Sequence, residues 1–406
     1  MRSKTNKFVK TPGATNRYIS FVGQKSLKVN LSLISSLEHP RRPKRRRSSN
    51  TSLSDTSLFS ESGVKKMALL AVIPHADETY ERVEDLVNKL ELRLGDNKML
   101  CADLKIVNIA LGLQGHQCRH PCCFCEWIKG KDKHNYPLRT FEKLRKDHQE
   151  FLQHSGEKKD VKKFNNCIRP ASWLFPEIGK VMDVVALPEL HIMLGVVNKL
   201  FFELNAIDHV VATKWSRVHL HVQPAEWSSQ YAGNDCKKLL ANTEVLRNIA
   251  RGLSARQQAK KKKIGRIADA FESFQKLVHS CFGSILYDTW ERDLVNFHDS
   301  YRATGASISP KIHIVIAHLP DFVKNFGALG VYSEQAGEAV HQDFKREFQK
   351  YYVKDTDHPK YLENLLKAVC SYNGNNKNWW WDDPWCEFGC FALIYRKNFD
   401  HRGWLW

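Results

Sequence analysis

Acidic residues are scarce at the start of this chain: within residues 1–54 the only Asp or Glu is Glu38. A carboxylate-based site therefore cannot be built from that stretch. Long hydrophobic runs are also missing. No segment approaches the roughly 18 apolar residues of a membrane span, and the opening MRSKTNKFVK has no apolar signal core. Both absences argue against membrane insertion and export. Complete cysteine pairing is excluded as well, since there are 11 and the number is odd. In a chain without a signal sequence they read as reduced thiols and metal ligands, which points to the cytosol or nucleus. No internal repeat is visible. At 406 residues, with 42% hydrophobic and 26% charged content, the chain suits two or three domains with a substantial core.

What is abundant is positive charge. Residues 1–66 carry 15 Lys or Arg against Glu38, Asp55 and Glu61, a net +12 out of the formal +18. Such a segment is the electrostatic footprint of a nucleic-acid binder, with a solvated loop as the plain alternative. Its centre is HPRRPKRRR, so Arg41, Arg42, Lys44, Arg45, Arg46 and Arg47 are the candidate DNA contacts.

The apolar patterning predicts a strand over 16–22, a turn at Gly23–Ser26, and a second strand through Leu27, Val29, Leu31 and Ile34. A Ser- and Arg-rich excursion (36–62) leads to a third, buried strand over 64–73. DETYERVEDLVNKLELRL, Asp77 to Leu94, has helical periodicity, with acids early and Arg93 late as the helix dipole prefers. A fourth strand, 98–102, ends at Asp103, and a helix follows from Leu104 to Gln114. This order, three strands, helix, strand ending in Asp, helix, is that of an RNase H-like core. From Pro121 to about Pro310 the patterning is mainly helical. LPELHIMLG starts an apolar packing helix in which His191 reads as a core histidine, and Gly233–Lys238 reads as a loop and helix start. A helix over about 332–352 carries Glu338. The last 28 residues hold six of the 11 tryptophans, including Trp379, Trp380 and Trp381.

The richest cluster is His116, Cys118, His120, Cys122, Cys123 and Cys125, within ten residues. Cys122 and Cys125 form a Cys-x-x-Cys, and His313 and His318 stand almost two hundred residues later. Two thiolates and two imidazoles can close one tetrahedral zinc site, with Cys118 and His120 as rival ligands. His313 and His318 are five apart, about 140° around a straight helix, so one face cannot present both. Pro310 and Pro320 bracket the segment, which predicts a short or bent helix in which the rings converge. Closing the site would pin the ends of the long insertion and bring together the flanking carboxylates Asp103 and Glu338. Taken alone, Asp103 at a strand-to-helix junction reads as a helix cap. Glu338, one turn after Glu334, reads as part of a solvated face.

CADLKIVNIALGLQGHQCRHPCCFCEW, HIVIAHLPD and SEQAGEAVHQDF resemble the catalytic core of the V(D)J recombinase and its Transib transposase relatives. The closest likeness is to transposase-derived proteins, and it covers roughly residues 16–375. Asp103 stands 19 residues before Cys122 and Glu338 stands 20 after His318, spacings that agree with that family. The resemblance implies an α/β chain, an RNase H-like mixed sheet core interrupted by a long, mainly helical, zinc-pinned insertion. It implies catalytic roles for Asp103 and Glu338, zinc on Cys122, Cys125, His313 and His318, and Mg2+ or Mn2+ for any catalysis. It also implies DNA as partner, a homodimer, and a nuclear location without membrane association. The resulting division is a basic tail (1–15), core (16–120), insertion (121–310), zinc histidines and Glu-bearing helices (311–375) and a Trp-rich tail (376–406).

One departure matters. The family carries a further catalytic Asp at its first strand, where YISFVGQKSLKV offers Phe21 or Val22. Asp55, the first suspect as a substitute, lies beyond the basic run of the excursion, as does Glu61. Two expectations follow: a degenerate, transposon-derived DNA-binding protein, or an active transposase or recombinase performing two-metal cleavage and strand transfer with another acid. The first is favoured by the missing Asp. Changing Arg41, Arg42, Lys44, Arg45, Arg46 and Arg47 together to Ala should weaken DNA binding across sequences and flatten its dependence on salt. An unchanged slope in a filter-binding titration would reduce the excursion to a solvated loop or a localisation signal.

Overall fold

The computed structural model describes residues 18–22, 28–34, 67–73, 78–94, 99–115, 117–131, 135–226, 229–333, 335–351, 353 and 358–375, with the backbone alone for 18–34, 67–73, 336–342, 362 and 373–375 among these. The excursion with Arg41–Arg47, Asp55, Glu334 and the Trp-rich tail lie outside the described residues. The chain is mostly helical. In chain order it runs β1 (Tyr18–Val22), β2 (Lys28–Ile34), β3 (Met67–Ile73), α1 (Tyr80–Lys89), β4 (Met99–Ala102), α2 (Leu104–Ala110), α3 (Phe141–His154) and α4 (Val181–Val184). It continues through α5 (Glu189–Ile207), α6 (His209–Thr213), a π-helix (Lys214–His219), α7 (Gly233–Ala241), α8 (Thr243–Arg251) and α9 (Gln258–Cys281). The last helices are α10 (Trp290–Thr304), α11 (Pro310–Ala317), α12 (Leu319–Phe326), α13 (Gln335–Gln349) and α14 (Tyr361–Asn375).

Two compact units share this chain. A sheet unit comprises the described parts of Met1–Gly115, Thr140–Ala186 and Glu334–Trp406, and a helical unit comprises His116–Arg139 and Leu187–Ser333. This differs from the boundaries read off the sequence. Residues 140–186 group with the sheet rather than with the insertion, and His313 and His318 group with the helices rather than with the core.

In the sheet unit the strand order is β3-β2-β1-β4. β1 pairs antiparallel with β2, β2 antiparallel with β3, and β4 parallel with β1. A parallel neighbour cannot be reached by a hairpin, so α1 serves as the crossover from β3 to β4. It buries Val83, Leu86 and Val87, the i, i+3, i+4 stripe of an amphipathic helix. The helix is shorter at both ends than the sequence pattern predicts. Leu90, Leu92 and Leu94 are buried, but in irregular chain, with Glu91 at φ 52° and Leu94 N–H donating to Leu174 O at 2.7 Å. β4 is buried throughout. Leu100 also bridges in parallel to Val185, an edge that the sequence reading missed, because a single bridge leaves no alternating pattern. α13 lies along β1, β2 and β3, and α14 along α13 and β3. Phe344, Tyr361, Leu365, Ala368, Val369 and Tyr372 form the core between these last two helices.

The helical unit is organised by α9, whose buried Ile264, Ile267, Phe271, Phe274 and Leu277 face α10, α8 and α5. α5 corrects the expectation that no stretch is long and apolar enough for a bilayer, since its 19 residues satisfy that length and composition. Here it buries Ile192, Met193, Val196, Val197, Leu200 and Leu204 and packs on α7, α9 and α11. Its Asn198 exchanges hydrogen bonds with the backbone of Tyr231, at 2.8 and 3.2 Å. The Gly233 run begins α7 without a side-chain cap, and His191 is half-buried.

α2 ends at Ala110, earlier than the predicted Gln114, because Gly112 adopts φ 69°. Its carbonyl accepts from Ile168 and Arg169, at 2.8 and 3.0 Å. A Cβ there would stand 2.2 Å from Arg169 O and 2.6 Å from Pro170 O. Gly112→Ala combines a left-handed backbone with a backbone overlap, and should destabilise the sheet unit by about 2 kcal/mol or more. Urea unfolding followed by far-UV circular dichroism should show a lower midpoint at unchanged slope. An unchanged midpoint would mean that the 169–170 segment yields freely.

Candidate functional site

Cys122 and Cys125 lie in a loop that the chain pins to itself. Glu126 N–H donates to Pro137 O at 3.0 Å and Arg139 N–H to Phe124 O at 2.9 Å, with a bridge between Cys125 and Leu138. Phe124 N–H points at Cys122 Sγ, 3.4 Å away. The Arg139 side chain is buried and closes the turn, its Nε donating to Cys122 O (2.9 Å) and Cys125 O (3.1 Å). Its Nη2 reaches His120 O at 3.4 Å. One guanidinium thus satisfies three carbonyls that a tight loop would otherwise leave without donors.

His313 and His318 arrive on α11 and α12. Ser309 caps α11, accepting from Ile312 N–H, and Pro310 sits in the first turn, where its missing N–H costs nothing. α11 stops at Ala317. His318, at φ −116°, caps both α11 and α12, and Pro320 opens the second helix. This break resolves the 140° problem: His313 points from within a helix, while His318 sits at the joint.

The four side chains meet. His313 Nε2 is 3.2 Å from Cys125 Sγ and His318 Nε2 is 3.3 Å from Cys122 Sγ. All four ligand atoms fall within 4.8 Å of one another, and all four residues are buried. A tetrahedral ion with arms of about 2.3 Å to sulfur and about 2.0–2.1 Å to nitrogen implies S···N edges of about 3.5 Å, so the set fits a metal such as zinc. All four positions of such a tetrahedron are supplied by buried protein side chains. His313 stacks on buried Trp127, with centroids 4.3 Å apart and an interplanar angle of 8°. Phe124 lies 5.6 Å from the His318 ring. His318 Nδ1 has no hydrogen-bond partner among the described residues, so ring packing rather than a donated N–H orients it, unlike the usual metal-bound imidazole. The rivals stay out: His120 Nδ1 is 3.0 Å from Glu126 O, and Cys118 is half-exposed outside the cluster.

The thiols are matched oppositely. Burial alone would push Cys122 up. A hydrogen bond from Cys125, the charge at His318 and the contacts of both imidazoles outweigh it and hold Cys122 well below the usual thiol range. Cys125 is driven up, first by that shared hydrogen bond and then by burial. Sequence reasoning picked out all four members of the cluster but neither Arg139 nor Trp127. No spacing rule marks an arginine 14 residues after a cysteine.

The carboxylates belong to the sheet unit. Asp103 caps α2, its Oδ1 accepting from Ile106 N–H at 2.8 Å. The bland reading of this residue therefore holds, and the cap occupies one oxygen only. Phe21 pairs with Ala102, so Val22 is the β1 residue level with Asp103. Glu338 stands on α13, which runs along β1, β2 and β3. Its side chain lies outside the described part, and so does the choice between it and Glu334.

Cys122→Ser should abolish stoichiometric metal and melt the helical unit early, since structural zinc contributes about 10–16 kcal/mol at neutral pH. Arg139→Met should lower zinc affinity 10- to 100-fold with all four ligands intact, measured by competition with a chromogenic chelator. Because the shared hydrogen bond and burial drive Cys125 up, binding a metal as its thiolate should displace a proton. Affinity should therefore rise about tenfold per pH unit for each proton displaced. Calorimetry in buffers of different ionisation enthalpy would read that proton directly, and no release would contradict the protonated thiol.

A family model described as a domain of unknown function (DUF8703) matches residues 33–160, a span that includes Asp103, Cys122 and Cys125 but not His313, His318 or Glu338. No curated protein matches the chain.

Proposed function

We propose that this chain is a transposon-derived DNA-binding protein with an RNase H-like, DDE transposase-type core that has lost its chemistry. The observation that carries the reading is the meeting of strand order and acid position. β3-β2-β1-β4, with only β4 parallel to β1, presents Asp103 at the end of β4, level with Val22 of β1. In that arrangement the first acid belongs on β1, and YISFV has none. The resemblance of the Asp-to-Cys and His-to-Glu spacings to the V(D)J recombinase and Transib core adds weight, as does the buried Cys2His2 set. The basic charge of the chain suits DNA and a nuclear setting.

In this reading zinc holds the helical unit, and Asp103 and Glu338 are what is left of a three-carboxylate site for Mg2+ or Mn2+. Two-metal phosphodiester chemistry needs ligands that clamp both the attacking and the leaving oxygen. With one acid replaced by an apolar residue, and another serving as a helix cap, that clamp is incomplete. The protein binds DNA, as a homodimer by family likeness, and does not cut it.

The test is a nicking assay of the full chain on labelled duplex DNA with Mg2+ or Mn2+. Binding is expected, with strand breakage no higher than for Asp103→Ala. Val22→Asp should raise nicking, and adding Asp103→Ala should abolish the gain. Robust nicking by the unaltered chain, lost in Asp103→Ala, would overturn the degenerate reading and point to another acid, Asp55 first.

A further inference from the structure

The helical unit carries a concentration of cations that neither the metal centre nor the carboxylates use. Residues 251–266 hold seven Lys or Arg and no acid. Two of these are neutralised locally: Arg251 pairs with Glu244 at 2.8 Å and Lys260 with Asp208 at 2.9 Å. Lys261 donates to the Arg251 carbonyl at 3.3 Å. Arg256, Lys262, Lys263 and Arg266 are exposed and have no acid within ion-pair reach among the described residues. Lys262 and Lys263 each share a helix face with Arg266, at i,i+4 and i,i+3, so their charges form one ridge. The opposite face, with Ile264 and Ile267, is buried.

The position of this ridge is electrostatically adverse. α9 begins at Gln258, so Lys260–Lys263 occupy its first turns, at the positive end of the helix dipole, where anions are preferred and cations are not. The neighbouring acids are already engaged: Asp269 and Glu272 both take Arg247, at 2.6 and 2.5 Å. A second basic element stands nearby in the same unit. The Asp208–Lys260 pair ties the start of α6 to the start of α9. α6 runs into the π-helix, which exposes Lys214 and Arg217. π-helices are rare and recur at functional sites. α8 packs against both the π-helix and α9.

We propose that Arg256, Lys262, Lys263 and Arg266 form a backbone-contacting surface for duplex DNA, extended by Lys214 and Arg217. A single phosphate could satisfy one or two of these cations. A polymer bearing charge every 3.4 Å or so along each strand satisfies several together and also relieves the adverse dipole. The choice of DNA over another polyanion rests on the function proposed above. The surface is sequence-independent, since flexible ammonium and guanidinium groups on an exposed ridge position a duplex without reading it.

The full chain decides this in salt titrations of binding to a labelled duplex of mixed sequence. Changing Arg256, Lys262, Lys263 and Arg266 to Gln should lower the slope of log affinity against log salt by about 2 to 4, at about 0.9 for each phosphate no longer neutralised. The thermal melt should not fall, because the cations removed from the first turns of α9 oppose its dipole. A control removing Lys158, Lys159, Lys162 and Lys163, the same charge from exposed positions in the sheet unit, should keep the slope. An unchanged slope in the ridge variant, with wild-type binding intact, overturns the ridge alone and leaves the DNA-binding reading standing. An equal fall in the control reduces the effect to net charge and overturns it. Competition by polyglutamate as effective as by DNA assigns the ridge to an acidic protein instead. No DNA binding by the unaltered chain sinks both this surface and the function proposed above.

Discussion

Closure of the Cys2His2 set is the constraint on which the helical unit depends. Its two halves are distant in sequence: Cys122 and His318 are 196 residues apart, Cys125 and His313 188. Bringing such ends together costs about 5 kcal/mol of chain entropy. A structural zinc, at about 10–16 kcal/mol, exceeds that cost comfortably. The loop of 117–131 has little core of its own beyond Phe124 and Trp127. The metal would replace the core that this short segment cannot supply, while Arg139 satisfies the carbonyls that the tight loop turns inward. With a metal bound, the site would work as a clasp, its buried ligands held from behind by Arg139.

That geometry explains why residue types alone exposed the ligands while the supporting residues stayed hidden. Thiol and imidazole are chemically distinctive, and a Cys-x-x-Cys or a proline-bracketed His pair stands out against any background. Pro310 and Pro320 even forecast the broken helix, since proline cannot continue a helix it does not begin. Arg139 has no such signature. In sequence it is one of 62 basic residues, and only the fold reveals that its side chain is buried. His318, oriented by Phe124 rather than by a donated hydrogen bond, was likewise legible as a ligand but not in its mode of support.

The sheet unit was legible to a similar depth. Each strand carries its apolar residues in a short run, and α1 shows its stripe through Val83, Leu86 and Val87. The errors were at edges. Leu90, Leu92 and Leu94 continue an apolar rhythm that burial imposes on irregular chain as readily as on helix. Gly112 stopped α2 through a backbone conformation that periodicity cannot register. Val185 joins β4 through one bridge, too short to pattern. The grouping of 140–186 with the sheet follows from that contact, from the bridge of Leu113 to Cys167 and from the packing of Phe141 on Phe175. None of these is visible before the chain is folded.

The Cys2His2 cluster and the two carboxylates belong to different compact units, so the stability of one set can be argued without the other. A clasp contained within the helical unit stabilises that unit whatever stands on β1. Asp103, for its part, is retained by a duty unrelated to catalysis. It satisfies an orphan N–H at the start of α2, and replacing such a cap costs about 1 kcal/mol. Val22, level with it, fits a strand better than a carboxylate would, because a β-branched side chain suits a pleated surface. Local stability alone thus accounts for a β-branched residue on β1 and for the capping Asp103 at the start of α2.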